Sequence, residues 1–303
     1  MRIPLNILIA SLLLCGCTGI KDNSQQSQQN ENVSLYQQTT TNQNEQTFSQ
    51  NVTQTQKGDV IYTHSTKKGK LYHHENYSFS YSEEDEQSEW VGYELTREET
   101  KGKLQRKGTF EEDPIVTTES AHPYEYRQCG YTRGHLAPAA DMKFDNTAMT
   151  ECFYTSNISP QKQKFNAGIW NTLEMQVRHW AQVFSTVYVV TGPILSKDCE
   201  KISYTNNRGE KENSKITIPK YFYKIVYDFS YKGKEKMIGF IVPHEGAHGS
   251  IFDYAVTVDK IEEETGIDFF HNLPKERQSE LESQINVDAW KKFIYINNKY
   301  NNQ

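Results

Sequence analysis

Residues 21–57 read KDNSQQSQQNENVSLYQQTTTNQNEQTFSQNVTQTQK, a run dominated by Gln, Asn, Thr and Ser. A segment with so little apolar surface cannot offset the entropy of ordering its own backbone, so it reads as a disordered tether. Any core the chain builds therefore starts at about residue 58. The hydrophobic share of 36 % looks low only because the tether dilutes it. What remains, residues 58–303, has the size and composition of one substantial globular domain, with no repeat and no second linker. A net charge of −6 excludes a uniformly basic nucleic-acid coat protein. It leaves room for a local basic cleft, because steering depends on where charges sit.

Ahead of the tether, Arg2 precedes the apolar run ILIASLLL, which is too short to cross a bilayer. The run ends in LCGC, residues 14–17, and resembles a bacterial lipobox. That resemblance implies a leader over residues 1–17, cleavage before Cys17 and diacylation of its thiol. An ordinary secretory signal is the alternative, and either way the protein is exported. With lipid on Cys17 it would be anchored to the cell envelope, at the outer membrane or cell surface, since Thr18 supplies no retention signal of the Asp type. A tether over residues 18–57 has a coil dimension of roughly 35 Å, enough to hold a domain clear of the membrane. Of the cysteines in the domain, Cys129, Cys152 and Cys199, an exported protein is expected to pair two and leave one over.

The domain mixes long strands with few helices. EWVGYELTREET alternates at period two and KGKLQRKGTF continues it, before EEDP turns the chain. STVYVVTGPIL, YFYKIVYDFS and KMIGFIVP read as further strands, and PKERQSELESQI as a late helix. Within NAGIWNTLEMQVRHWAQVF, Trp170, Leu173, Val177, Trp180 and Phe184 recur at spacings of three and four, the stripe of an amphipathic helix. This pattern predicts an α+β fold with a central antiparallel sheet flanked by helices.

Two features carry chemistry. In CGYTRGHLAPAADM, residues 129–142, Arg133 and His135 stand on either side of Gly134. On a strand they project to the same side, and the missing side chain between them lets another segment pack closely behind. In the helix, Asn166 and Glu174 are eight residues apart, about two turns plus 80°, and Arg178 follows four residues on. The three can line one edge of the apolar stripe. Singly, Asn166 is equally an N-cap, and Glu174 with Arg178 an ion pair worth a few tenths of a kcal/mol.

Together these segments resemble the DNA/RNA non-specific endonucleases, the ββα-metal or His-Me finger nucleases. GYTRGHLAPAADM is similar to the family's Asp-Arg-Gly-His signature, with Thr132 where the Asp stands. FYTSNISPQ resembles its Ser-Asn-x-x-Pro-Gln, and FNAGIWNTLE its Asn-x-Gly-x-Trp-x-x-Leu-Glu. VYVVTGPIL, IPKYFYKIVYD and EEETGIDFF follow in family order, so the similarity covers most of residues 90–272.

The resemblance implies a ββα-metal active site in which His135 is general base and Asn166 the direct ligand of a divalent cation, Mg²⁺ or alternatively Mn²⁺ or Ca²⁺. Glu174 would hold the ion through its waters. Arg133 and Arg178 would steady phosphate charge or the local scaffold, Asn157 would orient the histidine's surroundings, and Arg106 is the candidate upstream arginine for substrate. The implied reaction is hydrolysis of DNA or RNA, without sequence preference, to 5′-phosphorylated products. Some members dimerise, so a homodimer stays open. The residue types suit this chemistry. A histidine of ordinary pKa is mostly neutral at pH 7 and accepts a proton from water, and Mg²⁺ prefers oxygen ligands. Activity is accordingly expected to rise as pH climbs through that pKa.

Two rival readings differ in class. HEGAH, residues 244–248, matches the His-Glu-x-x-His of zinc peptidases, with His271 as the nearest further ligand. That chemistry needs a helix, and here the residues follow a strand and run into Gly249, which predicts a loop. A surface lipoprotein that binds nucleic acid or another polymer without cleaving it is the second, supported only by Thr132. His73, His74, His122 and His179 read as surface or structural residues.

Overall fold

A computed structural model describes residues 63–295. The leader with Cys17, the tether and residues 58–62 lie outside the described residues. In chain order the strands and helices begin with β1 (Lys70–His73), β2 (Ser78–Ser82), β3 (Gln87–Thr96) and β4 (Thr132–His135). Next come α1 (Asn146–Glu151), β5 (Ile158–Gln161), α2 (Asn171–Phe184), β6 (Thr186–Pro193), β7 (Lys201–Thr205) and β8 (Lys211–Thr217). β9 (Tyr221–Asp228), β10 (Lys236–Pro243) and β11 (Ala255–Val256) complete the strands, and α3 (Val258–Thr265), α4 (Lys275–Glu282) and α5 (Val287–Lys291) the helices.

Seven strands form one antiparallel sheet in the order β1-β2-β3-β6-β9-β10-β11. Alternate residues feed two cores. Val187 and Val189 of β6 and Phe222 and Val226 of β9 face one side, where Leu173, Val177, Trp180 and Phe184 of α2 pack on them. Tyr188 and Val190, with Tyr223, Ile225 and Tyr227, face the other side, covered by Val258 and Ile261 of α3 and Leu281 of α4. A sheet buried on both faces explains why these strands read as continuous apolar runs rather than as alternation. The expected central antiparallel sheet flanked by helices is the one observed.

Two local expectations fail. β3 stops at Thr96, and the KGKLQRKGTF segment has no regular structure. It is tied down elsewhere: Leu104 N–H donates to Lys143 O at 3.1 Å, and a Cβ on Gly102 would lie 2.3 Å from the Lys143 carbonyl carbon. Cys129, Cys152 and Cys199 are all free thiols. Cys152 is buried at the end of α1, bonded to Met149 O, whereas Cys129 bonds to Tyr126 O. Each of these two thiols is satisfied within its own turn.

His74 is structural, and more than that. Its Nε2 lies 2.8 Å from Asp113 Oδ2 and its Nδ1 3.6 Å from Glu151, all three side chains being 10 % exposed or less. Burial alone would lower the imidazole pKa; hydrogen bonds to Asp113 and Glu151 outweigh it and raise the pKa to about 9. The folded pKa lies above the unfolded value near 6.5. The pair therefore stabilises fully below about pH 6.5, and its contribution of ~3 kcal/mol is lost as pH rises through 9. His74→Ala strands a buried carboxylate and is expected to cost about 3–5 kcal/mol at pH 6. Urea unfolding at pH 6 and pH 9 checks this, the variant losing much of the wild-type alkaline slope.

Candidate active site

β4 and β5 pair antiparallel, with Arg133 opposite Pro160 and His135 opposite Ile158. Gly134 permits this: a Cβ there would sit 2.1 Å from the Gln161 side chain, which is fully buried beneath the strand. The chain after His135 is fixed by Asn157. Asn157 N–H₂ donates to Ala137 O at 3.0 Å and Cys152 O at 2.8 Å, while its Oδ1 accepts from Ala137 N at 2.8 Å.

After β5 a single helical turn leads into Asn166, and Asn166–Trp170 forms a wide π-type turn before α2 begins. Gly168 is non-helical within it. Asn166 is thus not an N-cap, and regular-helix arithmetic does not relate it to Glu174. π-type turns recur at functional sites because they re-aim one side chain. Here Asn166 Nδ2 donates to Thr132 Oγ1 at 3.0 Å, and Thr132 Oγ1 donates to Gln161 O at 2.8 Å. The hydroxyl that replaces the family's carboxylate therefore engages the amide nitrogen and leaves Asn166 Oδ1 as the atom for a cation.

These residues meet in one cavity of about 720 Å³, lined by Arg106, Phe110, Thr132, Arg133, His135, Lys143, Asn166, Asn171 and Glu174 among others. His135 is 8 % exposed, its ring 5.6 Å from Phe110 and 5.0 Å from Phe153, and its Nε2 is buried without a hydrogen-bond partner. Burial, then the charge of Arg106, lowers its pKa to about 3. The expectation of activity climbing through an ordinary histidine pKa is corrected accordingly: the ring is neutral, and able to take a proton, throughout pH 5 to 8.

Arg133 NH2 donates to Pro123 O at 3.0 Å, with its guanidinium 5.0 Å from the Phe110 ring. Arg106 lies 5.7 Å from the Phe153 ring and is exposed at the cavity rim. Glu174 faces Lys224, a fully buried lysine of β9 whose Nζ bonds Thr191 Oγ1. Burial pushes the Glu174 carboxyl up, to about 7, against the pull of Lys224 and Arg178, and burial pushes Lys224 down.

Asn157 and Arg178 are the exceptions, since neither lines the cavity: Asn157 is buried behind it, and Arg178 bonds Asp141 Oδ1 at 2.6 Å, while Tyr93 O–H donates to Asp141 Oδ2 at 2.7 Å. Arg178 belongs to the scaffold behind the site, because the residue four positions after Glu174 meets the loop that follows His135. Sequence reasoning missed Lys224, Asp141, Lys143 and Asn171. Only Lys224 carried a signal, a lone cation inside the apolar run YFYKIVYD.

HEGAH forms a bend after β10, with Gly246 at φ 73°. Both ring nitrogens of His244 are committed: Nδ1–H to Pro219 O at 2.7 Å, and Nε2 accepting from Lys162 N at 2.7 Å. Glu245 pairs with Lys162. The segment secures the turn that carries Asn166, and it offers no zinc ligand pair.

The donor set at the cavity, an amide oxygen and a carboxylate, is hard oxygen throughout and fits Mg²⁺ rather than zinc. A model of the DNA/RNA non-specific endonuclease family matches residues 56–276. The chain is 34 % identical over 216 residues to the mitochondrial nuclease EXOG of Danio rerio, covering 68 % of this chain and 62 % of that protein. It is 33 % identical over 227 residues to the Homo sapiens EXOG, covering 71 % and 60 %. Human mitochondrial endonuclease G is 28 % identical over 205 residues, covering 66 % and 69 %. The chain thus spans about three fifths of the length of the EXOG relatives it matches. A crystal structure of the EndoG/EndoGI complex superposes with a TM-score of 0.58 at 28 % identity, covering 68 % of this chain and 87 % of the matched one. With the motif of Arg133 and His135 and the motif of Asn166 and Glu174 lining one cavity, and the family's model matched over most of the sequence, the chain belongs to the DNA/RNA non-specific endonucleases.

Proposed function

We propose that this chain is a metal-dependent, sequence-tolerant endonuclease that hydrolyses phosphodiesters of DNA, RNA or both to 5′-phosphorylated products. The observation that carries the reading is a cavity lined jointly by a neutral, buried His135 and by Asn166, Glu174, Arg133 and Arg106. Asn166 Oδ1 would ligate a divalent cation directly and Glu174 would hold it through its waters, Mg²⁺ before Mn²⁺ or Ca²⁺; when bound, the ion offsets charge on the phosphate and the leaving oxygen. His135 takes a proton from the attacking water; the water oxygen bonds phosphorus, the bond from phosphorus to the 3′ oxygen breaks, and that oxygen takes a proton from a solvent water to leave as the 3′-hydroxyl. Arg133 and Arg106 hold the phosphate charge. Thr132 fixes the Asn166 amide, Asn157 fixes the chain after the base, and Arg178 with Asp141 fixes α2 behind Glu174. Guanidinium contacts to phosphate carry no base information, so cleavage should tolerate sequence and weaken with salt.

Product ends test the chemistry. An internally labelled oligonucleotide should yield fragments that a 5′-phosphate-dependent exonuclease degrades without prior kinase treatment; fragments bearing 3′-phosphates contradict the direction of attack.

Glu174 sets the acid limb. Its carboxyl accepts from the ion's waters with full charge only when ionised, and the protonated share grows as pH falls below about 7. Half-saturating Mg²⁺ is therefore expected to rise by up to about tenfold per unit below pH 7. Glu174→Gln should weaken Mg²⁺ at all pH values and remove that slope.

We also propose that residues 1–17 direct export and that Cys17 is the lipid anchor of the domain beginning near residue 58. Cys17→Ala should move the protein from the membrane fraction to the soluble one; unchanged fractionation contradicts the anchor.

A further inference from the structure

We propose that Asp259, Glu262 and Glu282 form a second divalent-cation site, of the calcium type, on the opposite side of the sheet from the nuclease cavity. Asp259 and Glu262 project from α3 and Glu282 from the end of α4, and one carboxylate oxygen of each lies within 4.8 Å of the other two. Three carboxyl groups this close must either take up protons or hold a cation. Glu282 is 3 % exposed, and its Oε1 is buried without any hydrogen-bond partner. Such an atom costs free energy unless something occupies the space in front of it.

Among the described residues, the charged groups that act most strongly on these carboxyls are Asp259, Glu262 and Asp268, all acidic, and the one further aid to Glu282 is a neutral hydrogen bond from Gln278. Lys260, the adjacent base, is turned to Glu263 and Glu264 instead. Left to themselves, burial and mutual repulsion raise Glu282 to about 9 and Glu262 to about 7. A bound cation reverses that cost and keeps all three ionised.

The frame is built to hold the carboxylates still. α3 ends at Gly266, whose φ of 72° turns the chain back over the helix. Phe269 N–H then donates to Glu262 Oε1 at 2.7 Å, which fixes one oxygen and leaves the other for a ligand. Gln278 on α4 donates to Asp268 Oδ1 and Phe269 O at 2.8 and 2.9 Å, tying the turn to the second helix. An all-oxygen set with one exposed member suits calcium, which accepts irregular carboxylate-and-water shells at 2.3–2.6 Å, so that opposed ligands stand up to about 5 Å apart. Without imidazole or thiolate the set is poor for zinc. Bound there, the ion would cross-link α3 to α4.

The test is thermal unfolding of the full chain carrying Asn166→Ala, which removes the nuclease-site ligand, in EDTA and in millimolar CaCl₂. Calcium is expected to raise Tm by about 3–6 °C. Adding Glu282→Gln should abolish the shift, while Tm in EDTA stays the same or rises because repulsion is relieved. Asp259→Asn, at an exposed position that does not threaten folding, should raise the calcium midpoint about tenfold or more. No calcium shift in Asn166→Ala, or a shift that survives Glu282→Gln or is untouched by Asp259→Asn, overturns the proposal.

Discussion

Replacing His135 with alanine is expected to lower kcat by about 10²–10⁴-fold, the range for loss of a positioned general base. The substrate KM and the Mg²⁺ midpoint should change little. The separation follows from the geometry: His135 is carried by β4, while the oxygen ligands come from the turn after β5 and from α2, so the ring can go without disturbing them. The fold should survive, since Nε2 forms no hydrogen bond and the side chain borders a cavity rather than the core. Circular dichroism together with initial rates on plasmid checks both halves. The pH profile adds a second readout. With its pKa near 3, His135 contributes no limb between pH 5 and 8. The residual activity of the alanine variant should therefore keep the wild-type acid limb, which belongs to Glu174.

Asn166→Ala should act on the opposite parameter. Loss of the amide oxygen is expected to raise the Mg²⁺ requirement by more than about 10²-fold, because disturbing a group one step behind a metal ligand already costs 10–100-fold. Thr132→Val isolates that step. It keeps the shape at residue 132 but removes the hydroxyl that accepts from Asn166 Nδ2 and donates to Gln161 O. The amide is then free to rotate, and a rise of about tenfold in the Mg²⁺ midpoint is expected, with kcat at saturating metal close to wild type. Isothermal titration with Mg²⁺, beside rates measured across a metal series, distinguishes the two variants. An unchanged midpoint in Thr132→Val would mean that the threonine does not stand in for the family's acid.

The sheet was legible because its strands are buried on both faces, and KMIGFIVP and YFYKIVYD declare this as apolar runs without alternation, the second broken only by Lys224. Helix α2 was legible from the stripe Trp170 to Phe184, every member of which is buried. KGKLQRKGTF was misread because its spacing alternates while its conformation is set by long-range contacts with Lys143. At the site, His135, Arg133, Asn166 and Glu174 were identifiable, and the cavity brings them together. Their partners were hidden for the same reason in each case. Thr132 meets Asn166 across 34 residues, and Arg178 meets Asp141 across 37. Such pairs are made by the tertiary fold, and local spacing favoured the wrong one, Glu174 with Arg178. The histidine pKa was out of reach too, since it depends on Phe110 and Phe153 closing over the ring.

The central claim is that one neutral imidazole and one cation-binding amide serve a single phosphodiester. Incubation of the purified protein with supercoiled plasmid, and in parallel with RNA, in Mg²⁺ and in EDTA tests it most directly when His135→Ala and Asn166→Ala are run alongside. The expected result is nicking and fragmentation by the wild type in Mg²⁺ only, with both variants severely impaired and only Asn166→Ala recovering as metal is raised. Cleavage that persists in EDTA, or two folded variants that cut at the wild-type rate, would contradict it.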